Sequence, residues 1–315
     1  MASGGDNSKY VYLHKDSSQR QALLQQLFRH SSALAFVKSG ILDRASANDT
    51  DQPFNLLEIG CGFGWTTQDA ARMLPRESRI TAIDANEELI QEAKNILAKQ
   101  EDSDINDKIE FETMSGEEAA SKYTEGFDAV WIRFVVVHIP DPNKLIRAAR
   151  DCLKPGGILL VEEPDVLGGI SDPPIFAIDL LYKAQMEAMA QQKGGDLRRG
   201  YQIGRFMTEV GGLENINCDS FVPLLGKGLN IPPWMGVDES PLGKWPSQEE
   251  LFNIAIPFLQ NNVNTLEPKL LQMKTCTVED MEQCRASLDR VSELDYQVFT
   301  CRIAKVFQWW ATKSV

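Results

Sequence analysis

The sequence lacks any apolar run near the roughly 18 to 20 residues that a membrane-spanning helix needs. Its first ten residues, MASGGDNSKY, are polar and lack the apolar core of a secretory signal peptide. The six cysteines are scattered and form no Cys-x-x-Cys pair, which disfavours a disulfide framework and a zinc site. We therefore expect reduced thiols, a frayed N-terminal tail and a cytoplasmic location.

Positive charge is scarce as well. The 32 Lys and Arg residues are outnumbered by 45 Asp and Glu residues, which gives a formal net charge of -13. A nucleic acid would be repelled by this balance unless a local basic patch overcame it, and the one dense basic spot is LRR at 197–199. We expect neither a nucleic-acid partner nor a membrane partner, and the sequence leaves the oligomeric state open.

The 315 residues suffice for one large domain or two small ones, and the composition is that of an ordinary globular protein. An amphipathic helix is predicted first, with an apolar stripe that includes Leu27 and Phe28. Strand-like runs then alternate with helical stretches, which predicts a doubly wound, mostly parallel α/β sheet. The predicted strands are 54–59, 79–83, 108–113, 127–132, 157–162, 214–222 and 297–307.

The stretch LLEIGCGFGWTTQ, residues 56–68, ends an apolar strand in Gly60, Gly62 and Gly64. Ligands of open α/β sheets bind at the carboxyl ends of the strands, where a glycine lets a ligand approach the backbone. A dinucleotide site needs G-x-G-x-x-G, but its last position is Trp65 here, and no Gly-Lys-Ser/Thr follows. The spacing favours a ligand without phosphates, and the alternative is a tight turn that binds nothing.

Asp84 ends the second predicted strand in the stretch RITAIDAN. A carboxylate at this place can accept hydrogen bonds from both hydroxyls of a ribose. The alternative is a helix N-cap or a surface acid.

Three motifs in order carry a resemblance: LLEIGCGFG, ITAIDAN and FDAVWIRFVVVHIPDPNKLIRAARDCLKPGGILLVEEPD. Together they resemble the class I S-adenosylmethionine-dependent methyltransferases, and most closely the small-molecule branch with ubiquinone/menaquinone-type and natural-product enzymes. The resemblance covers residues 54–165 closely and 10–220 loosely. It implies a seven-stranded Rossmann-like fold, S-adenosylmethionine as methyl donor, S-adenosylhomocysteine as product, and a small organic acceptor methylated on O, N or S.

The same resemblance implies how the chain is divided. Residues 1–50 would form an N-terminal helical lid. Residues 51–222 and 293–315 would form the cofactor-binding domain, with helical cap elements at 165–210. Residues 223–292 would be a cap insertion over the acceptor site, laid over the sheet and not a separate domain.

The resemblance also implies a set of cofactor-binding residues: Tyr12, Arg20, Glu58, Gly60, Cys61, Gly62, Asp84, Ala85, Asn86, Leu89, Ser115, Gly116, Glu117, Arg133 and Phe134. Glu58 would reach the methionine amino group, directly or through water. Tyr12 and Arg20 would lie near the methionine end, unless their segment is a simple packing helix. Ser115 stands where the family has an aspartate for the adenine amino group, so either Ser115 or Glu117 is left for that contact.

Methyl transfer from a sulfonium is an in-line displacement, for which the protein mainly supplies alignment and a dry site. Catechol-type enzymes of this fold hold Mg²⁺ with acids after the fourth strand, where this chain has Ile132 and Arg133, so we predict no metal. A hydroxyl acceptor would need a base, and His138 and Glu163 are the catalytic candidates. For both, a packing or capping role is the alternative.

Asp165 is a further candidate base at the end of the fifth predicted strand. The acceptor pocket is expected to draw on Tyr182, Met186, Met189, Trp234, Met235 and Phe258. Three other functions stay open. They are methylation of a macromolecule, cofactor binding without methylation (regulation or other chemistry), and, more weakly, NAD-dependent oxidoreduction.

Overall fold

The computed structural model describes residues 18–47, 52–165, 169–172, 174–191, 194–222, 224–226, 239–293, 300–302 and 304–315. Its helices are α1 (Ser18–Lys38), α2 (Ile41–Ser46), α3 (Trp65–Met73), α4 (Glu87–Ala98), α5 (Ser103–Asn106), α6 (Gly116–Lys122), α7 (Pro142–Cys152), α8 (Phe176–Gln191), α9 (Ile203–Val210), α10 (Gln248–Gln272) and α11 (Val278–Glu293). Its strands are β1 (Asn55–Ile59), β2 (Arg79–Asp84), β3 (Ile109–Thr113), β4 (Phe127–Arg133), β5 (Leu153–Asp165), β6 (Ile170–Asp172), β7 (Leu213–Phe221), β8 (Leu224–Gly226), β9 (Glu239–Ser240), β10 (Gly243–Lys244), β11 (Thr300–Arg302) and β12 (Lys305–Lys313).

The main sheet has the order β3-β2-β1-β4-β5-β12-β7 across seven strands of the described chain. Neighbours from β3 to β5 pair in parallel, and β12 runs antiparallel to both β5 and β7. The order reverses between β1 and β4, which is the switch point where ligands of such sheets bind. The predicted doubly wound, mostly parallel sheet is confirmed.

The strands are buried because helices cover both faces of the sheet. Leu56 and Leu57 point to opposite faces of β1, and both are fully buried. The helix α4 shows how the covering elements form. Asn86 caps its N-terminus by accepting hydrogen bonds from the Glu88 and Leu89 amides, and its buried Ile90 and Ala93 face the sheet side.

The last strand of the main sheet is Lys305–Lys313, so the predicted strand at 297–307 lies too early in the chain. Part of the earlier run forms β11 instead, which pairs with β6 and β8 in a separate small sheet. The true strand carries a polar residue, Gln308, at its centre. That residue is fully buried and donates to the Ser31 carbonyl at 2.7 Å and to Glu162 Oε2 at 3.2 Å. This polar position interrupts the apolar pattern from which a strand is recognised.

A second apolar core is built by α1, α8, α10 and α11, which include the buried residues Phe28, Leu181, Leu259 and Leu288. The helix α1 also contributes Phe36 to the core that packs against the sheet. Helix α1 thus contacts both cores. Across the part of the chain that the structure describes, no helix is both long and apolar enough to cross a membrane.

Candidate functional site

A cavity of about 570 Å³ lies at the carboxyl ends of β1 to β5, within the usual range for small-molecule sites of about 300–1,000 Å³. It is also lined by residues of α1, α8 and α10. The structure brings most of the predicted site residues to its wall: Arg20, Gly60, Cys61, Gly62, Asp84, Ala85, Asn86, Leu89, Ser115, Gly116, Glu117, Arg133, Phe134 and His138. The same cavity is lined by the glycine turn and by the side chains of Tyr182 and Phe258.

Other predicted residues are not part of the wall. Glu58 and Glu163 are buried beside the cavity without lining it. Asp165 is also buried and accepts a hydrogen bond from the Tyr201 hydroxyl at 2.6 Å. Among the predicted pocket residues, Met189 packs into a small cluster with Val137. Tyr12, Trp234 and Met235 lie outside the described residues.

Several wall residues were not predicted from the sequence. They come from the start of α3, from one face of α1, and from α10: Trp65, Thr66, Gln21, Leu24, Gln25, Phe28 and Asn262. The α1 residues follow helical spacing, and the apolar stripe of that helix was visible in the sequence. The side-chain amides of Gln21 and Gln25 lie next to this stripe, and they were the feature of the sequence that could have indicated a binding surface on this helix. Asn262 gave no signal, because only the folding of α10 brings it to the cavity.

All three glycines of the turn have positive φ angles: 79° at Gly60, 56° at Gly62 and 72° at Gly64. A Cβ on Gly60 would lie 2.3 Å from Val135 Cγ2, and one on Gly64 would lie 2.5 Å from Phe111 Cζ. Gly60 therefore permits the close approach of the β1 and β4 loops, and Gly64 permits packing against β3. Gly62 meets no protein atom closer than 3.0 Å and faces the cavity.

We expect Gly60→Ala to destabilise the protein more than Gly40→Ala. The two residues share nearly the same φ, 79° and 80°, but a Cβ on Gly40 would meet no atom within 4 Å. Gly40→Ala should cost about 1–2 kcal/mol from left-handed strain alone. Gly60→Ala should cost about 1–3 kcal/mol more through overpacking against Val135. Urea unfolding of both variants measures the difference. Equal losses in the free energy of unfolding would show that the loop at Val135 moves to accommodate the added Cβ without a cost.

Asp84 ties the first two strand ends together. Its Oδ2 accepts a hydrogen bond from the Gly62 amide at 3.0 Å, and its Oδ1 accepts one from the Asn86 amide at 2.9 Å. Burial raises the pKa of this carboxyl, and the two amides act against that rise. Each oxygen keeps a second lone pair, so the carboxylate can still accept two hydrogen bonds from a ligand. The N-cap of α4 is Asn86, not Asp84.

Glu58 is held by two threonines at the start of α3. The Thr66 and Thr67 hydroxyls each donate to it at 2.6 Å, one to each carboxylate oxygen. Burial raises its pKa, while these bonds and the charge of Arg133 lower it. Of this group only Thr66 and Arg133 line the cavity, so the structure separates the Glu58 carboxylate from the cavity by these two residues.

Ser115 forms a capping box with Glu118 at the start of α6. Its hydroxyl accepts from the Glu118 amide at 3.2 Å and donates to Glu118 Oε2 at 2.8 Å. This hydroxyl is thereby committed to the helix terminus. Glu117 lines the cavity next to it and pairs with Lys144 at 3.0 Å.

Arg133, at the end of β4, is a buried cation among carboxylates. Burial lowers its pKa, and the charges of Glu162, Glu58 and Asp69 act against this. These acids already have other hydrogen-bond donors: Thr66 and Thr67 for Glu58, Trp131 and Gln308 for Glu162, and Gln25, Arg29 and Arg72 for Asp69. The Arg133 Nε and Nη2 atoms are buried without a hydrogen-bond partner among the described residues. The guanidinium is therefore neutralised by its surroundings and keeps donors for a ligand.

The loop after β4 is fixed by Glu163, a residue that does not line the cavity. Glu163 Oε1 accepts hydrogen bonds from the Val135 amide at 2.8 Å and the Val136 amide at 2.5 Å. These bonds hold the turn that follows Phe134, whose φ of 59° is uncommon for a bulky residue. Burial raises the pKa of Glu163 to about 8. This geometry favours a positioning role over the predicted role as a base.

His138 is the candidate base that reaches the cavity. It ends a single 3₁₀ turn, Val136–His138. Burial, with the positive charges of Arg20 and Arg199, lowers its pKa to about 4. The imidazole is neutral near pH 7, so it is ready to accept a proton, but with a low affinity for it.

Comparisons with known proteins found similar chains. Residues 57–159 match the family model described as a methyltransferase domain. The ubiquinone biosynthesis O-methyltransferase of Xanthomonas oryzae pv. oryzae is 32% identical over 120 residues, which are 38% of this chain and 47% of that protein. The chain thus spans about half the length of the curated relatives it matches.

Two solved structures are similar at lower identity. One is a putative sarcosine dimethylglycine methyltransferase from Galdieria sulphuraria, with 15% identity, a TM-score of 0.48, and coverage of 97% of this chain and 93% of that one. The other is phosphoethanolamine N-methyltransferase 2 of Haemonchus contortus in complex with S-adenosyl-L-methionine, with 15% identity, a TM-score of 0.46, and coverage of 95% and 60%. The family match and the strand order together confirm the predicted resemblance to class I methyltransferases.

Proposed function

We propose that this chain, which carries a class I methyltransferase domain, transfers a methyl group from S-adenosylmethionine to an O, N or S atom of a small organic acceptor. The observation that carries the proposal is the continuity of the cavity. Its wall includes both the glycine turn clamped by Asp84 and the apolar side chains of Phe28, Tyr182 and Phe258. A donor and an acceptor can therefore share one cavity.

The residues present fit the methyl donor at both of its ends. Asp84 has lone pairs for the ribose hydroxyls, and Leu89 offers an apolar surface for the adenine. For the methionine end, Arg133 supplies buried donors for a carboxylate. Gln25 donates to Asp69, while its Oε1 is buried without a partner and can accept from an ammonium group. Donors for the carboxylate and an acceptor for the ammonium group are thus both present in the wall of one cavity.

The donor, when bound, supplies a methyl group already activated on a sulfonium. The residues of the chain need only align the acceptor and keep water out. The α1 helix contributes Leu24 and Phe28 to the wall, and this apolar surface favours a dry site. His138, neutral near pH 7, is the group that can take a proton from an acceptor hydroxyl.

The O-methyltransferase name of the curated relatives supports oxygen as the methylated atom. We further propose that residues 1–50 act as a lid and 223–292 as a cap over the acceptor. The role of α1 and α10 in the cavity wall supports this division. A cytoplasmic location is supported by the scattered cysteines.

Thermal denaturation with added ligands tests the proposal. A ligand at about 100 times its dissociation constant adds about 2.7 kcal/mol of apparent stability. S-adenosylmethionine and S-adenosylhomocysteine should each raise the melting temperature, whereas NAD and NADP should not. Release of S-adenosylhomocysteine from the donor in the presence of a cell extract should then show transfer. Stabilisation by NAD alone would contradict the proposal.

A further inference from the structure

Asn262 places a carboxamide oxygen without a hydrogen-bond partner among the described residues in the wall of the cavity. The residue is 4% exposed, and its Oδ1 accepts no hydrogen bond from the residues that the structure describes. A buried acceptor atom without a partner costs roughly 1–3 kcal/mol, so such an oxygen usually has a donor in the working state. A ligand in this cavity is the partner that the geometry offers.

The sequence of α10 explains why Asn262 faces inward. Phe258 and Asn262 are separated by four residues, so they occupy the same face of the helix, and both line the cavity. Pro257, immediately before Phe258, lies inside the helix and has no amide proton, so it cannot donate a backbone hydrogen bond there. The amide therefore lies one helical turn beyond an aromatic ring, on the same wall of the cavity.

The charges of the wall show which acceptors fit. Among the described wall residues, the carboxylates are Asp84, which ends β2, and Glu117, which follows β3, on the side of the proposed adenosine site. The side of His138 instead has the positive charge of Arg20, which lowers the pKa of that histidine. An ammonium group bound there would face a like charge, and no wall residue that the structure describes on that side offers a carboxylate to pair with.

We infer that the acceptor is an uncharged, flat molecule with a hydroxyl or N–H group that donates to Asn262 Oδ1, and that Asn262 is the specificity-determining residue. This inference rests on the proposed function, and it deepens it by naming the class of acceptor. Phe28, Phe134, Tyr182 and Phe258 supply apolar and aromatic wall on which such a molecule packs. The amide then fixes its orientation, as the few polar groups of small-molecule sites usually do.

Calorimetric titration of the full chain, saturated with S-adenosylhomocysteine, tests the inference. The probes are phenol, 1-naphthol and 4-phenylphenol, each compared with the hydrocarbon that lacks the hydroxyl and with the corresponding arylmethylammonium ion. At least one hydroxylated probe should bind about tenfold more tightly than its hydrocarbon, as one net hydrogen bond implies. The ammonium ion should bind at least as weakly as the hydrocarbon.

Three variants separate recognition from folding. Asn262→Leu should reduce the hydroxyl preference to within twofold, with the affinity for S-adenosylhomocysteine unchanged. Asn264→Leu, on the exposed side of the same helix, should leave both affinities unchanged. Asn262→Asp should bind the ammonium ion about tenfold more tightly than the wild type, because it adds the missing carboxylate.

Retention of the hydroxyl preference in Asn262→Leu would overturn the inference. So would tight binding of the ammonium ion by the wild type, or a lack of binding by all three hydroxylated probes. These outcomes leave the proposed function standing as long as the wild type binds S-adenosylhomocysteine. Failure of that binding, measured first and separately, would count against the proposed function itself.

Discussion

Replacement of Asp84 by alanine should lower the affinity for S-adenosylhomocysteine by at least about 100-fold. Each hydrogen bond from a ribose hydroxyl to a carboxylate is worth about 1.5–3 kcal/mol, and two of them exceed the roughly 2.7 kcal/mol that a 100-fold change requires. The change also releases the Gly62 amide, whose bond to Asp84 at 3.0 Å holds the glycine turn in place. Calorimetric titration of the folded variant measures the loss.

Glu87→Ala is the matched control for this variant. Glu87 is an exposed acid three residues beyond Asp84, in the first turn of α4. Its removal changes the net charge by the same amount but should leave the affinity within twofold. A loss of less than fivefold in Asp84→Ala would instead indicate that the carboxylate serves only to tie the loops after β1 and β2 together.

Features set by a few neighbouring residues were predictable from the sequence. The glycine turn and Asp84 both sit at strand ends, and their chemistry depends on local backbone shape and on the parallel sheet. The first four predicted strands agree with the observed ones to within one residue at each end. Local patterns sufficed there because each strand is a buried run bounded by polar residues or glycine.

Features that depend on distant contacts could not be predicted in the same way. The two acids at 162 and 163 follow each other in the sequence, but alternation places them on opposite faces of β5. One meets Trp131 and Gln308, and the other meets the backbone amides after Phe134. Neither acid reaches the cavity, a result that depends on the course of the β4 loop.

The positions of the side-chain amides in the cavity wall also depend on distant contacts. Gln25 meets Asp69 across 44 residues, and Asn262 reaches the cavity only because α10 packs beside α1. Ser115 is an intermediate case. Its capping box with Glu118 follows the S-x-x-E spacing that is visible in the sequence, so the cap could have been preferred over adenine binding.

Arg133→Met should lower the free energy of unfolding by about 3–5 kcal/mol at pH 7.5, because it removes the central cation from buried carboxylates. Glu58 and Glu162 are 2% and 0% exposed, and the charge of Arg133 lowers the pKa of each. The matched control is Arg72→Met. Arg72 also pairs with Asp69, at 3.0 Å, but its side chain is 37% exposed, so its loss should cost less than about 1 kcal/mol.

The deficit of Arg133→Met should depend on pH in a defined direction. Without Arg133, the pKa values of Glu58 and Glu162 rise further above their ordinary value of 4.5. When the pKa of an acid is higher in the folded state than in the unfolded state, protonation of that acid stabilises the fold. This contribution is complete at a pH below the pKa of the unfolded state, and it is lost as the pH rises through the pKa of the folded state. Urea unfolding should therefore show a deficit that is small near pH 5 and grows toward pH 8. A deficit that stays constant over this range would mean that Arg133 stabilises the fold by packing and not by its charge.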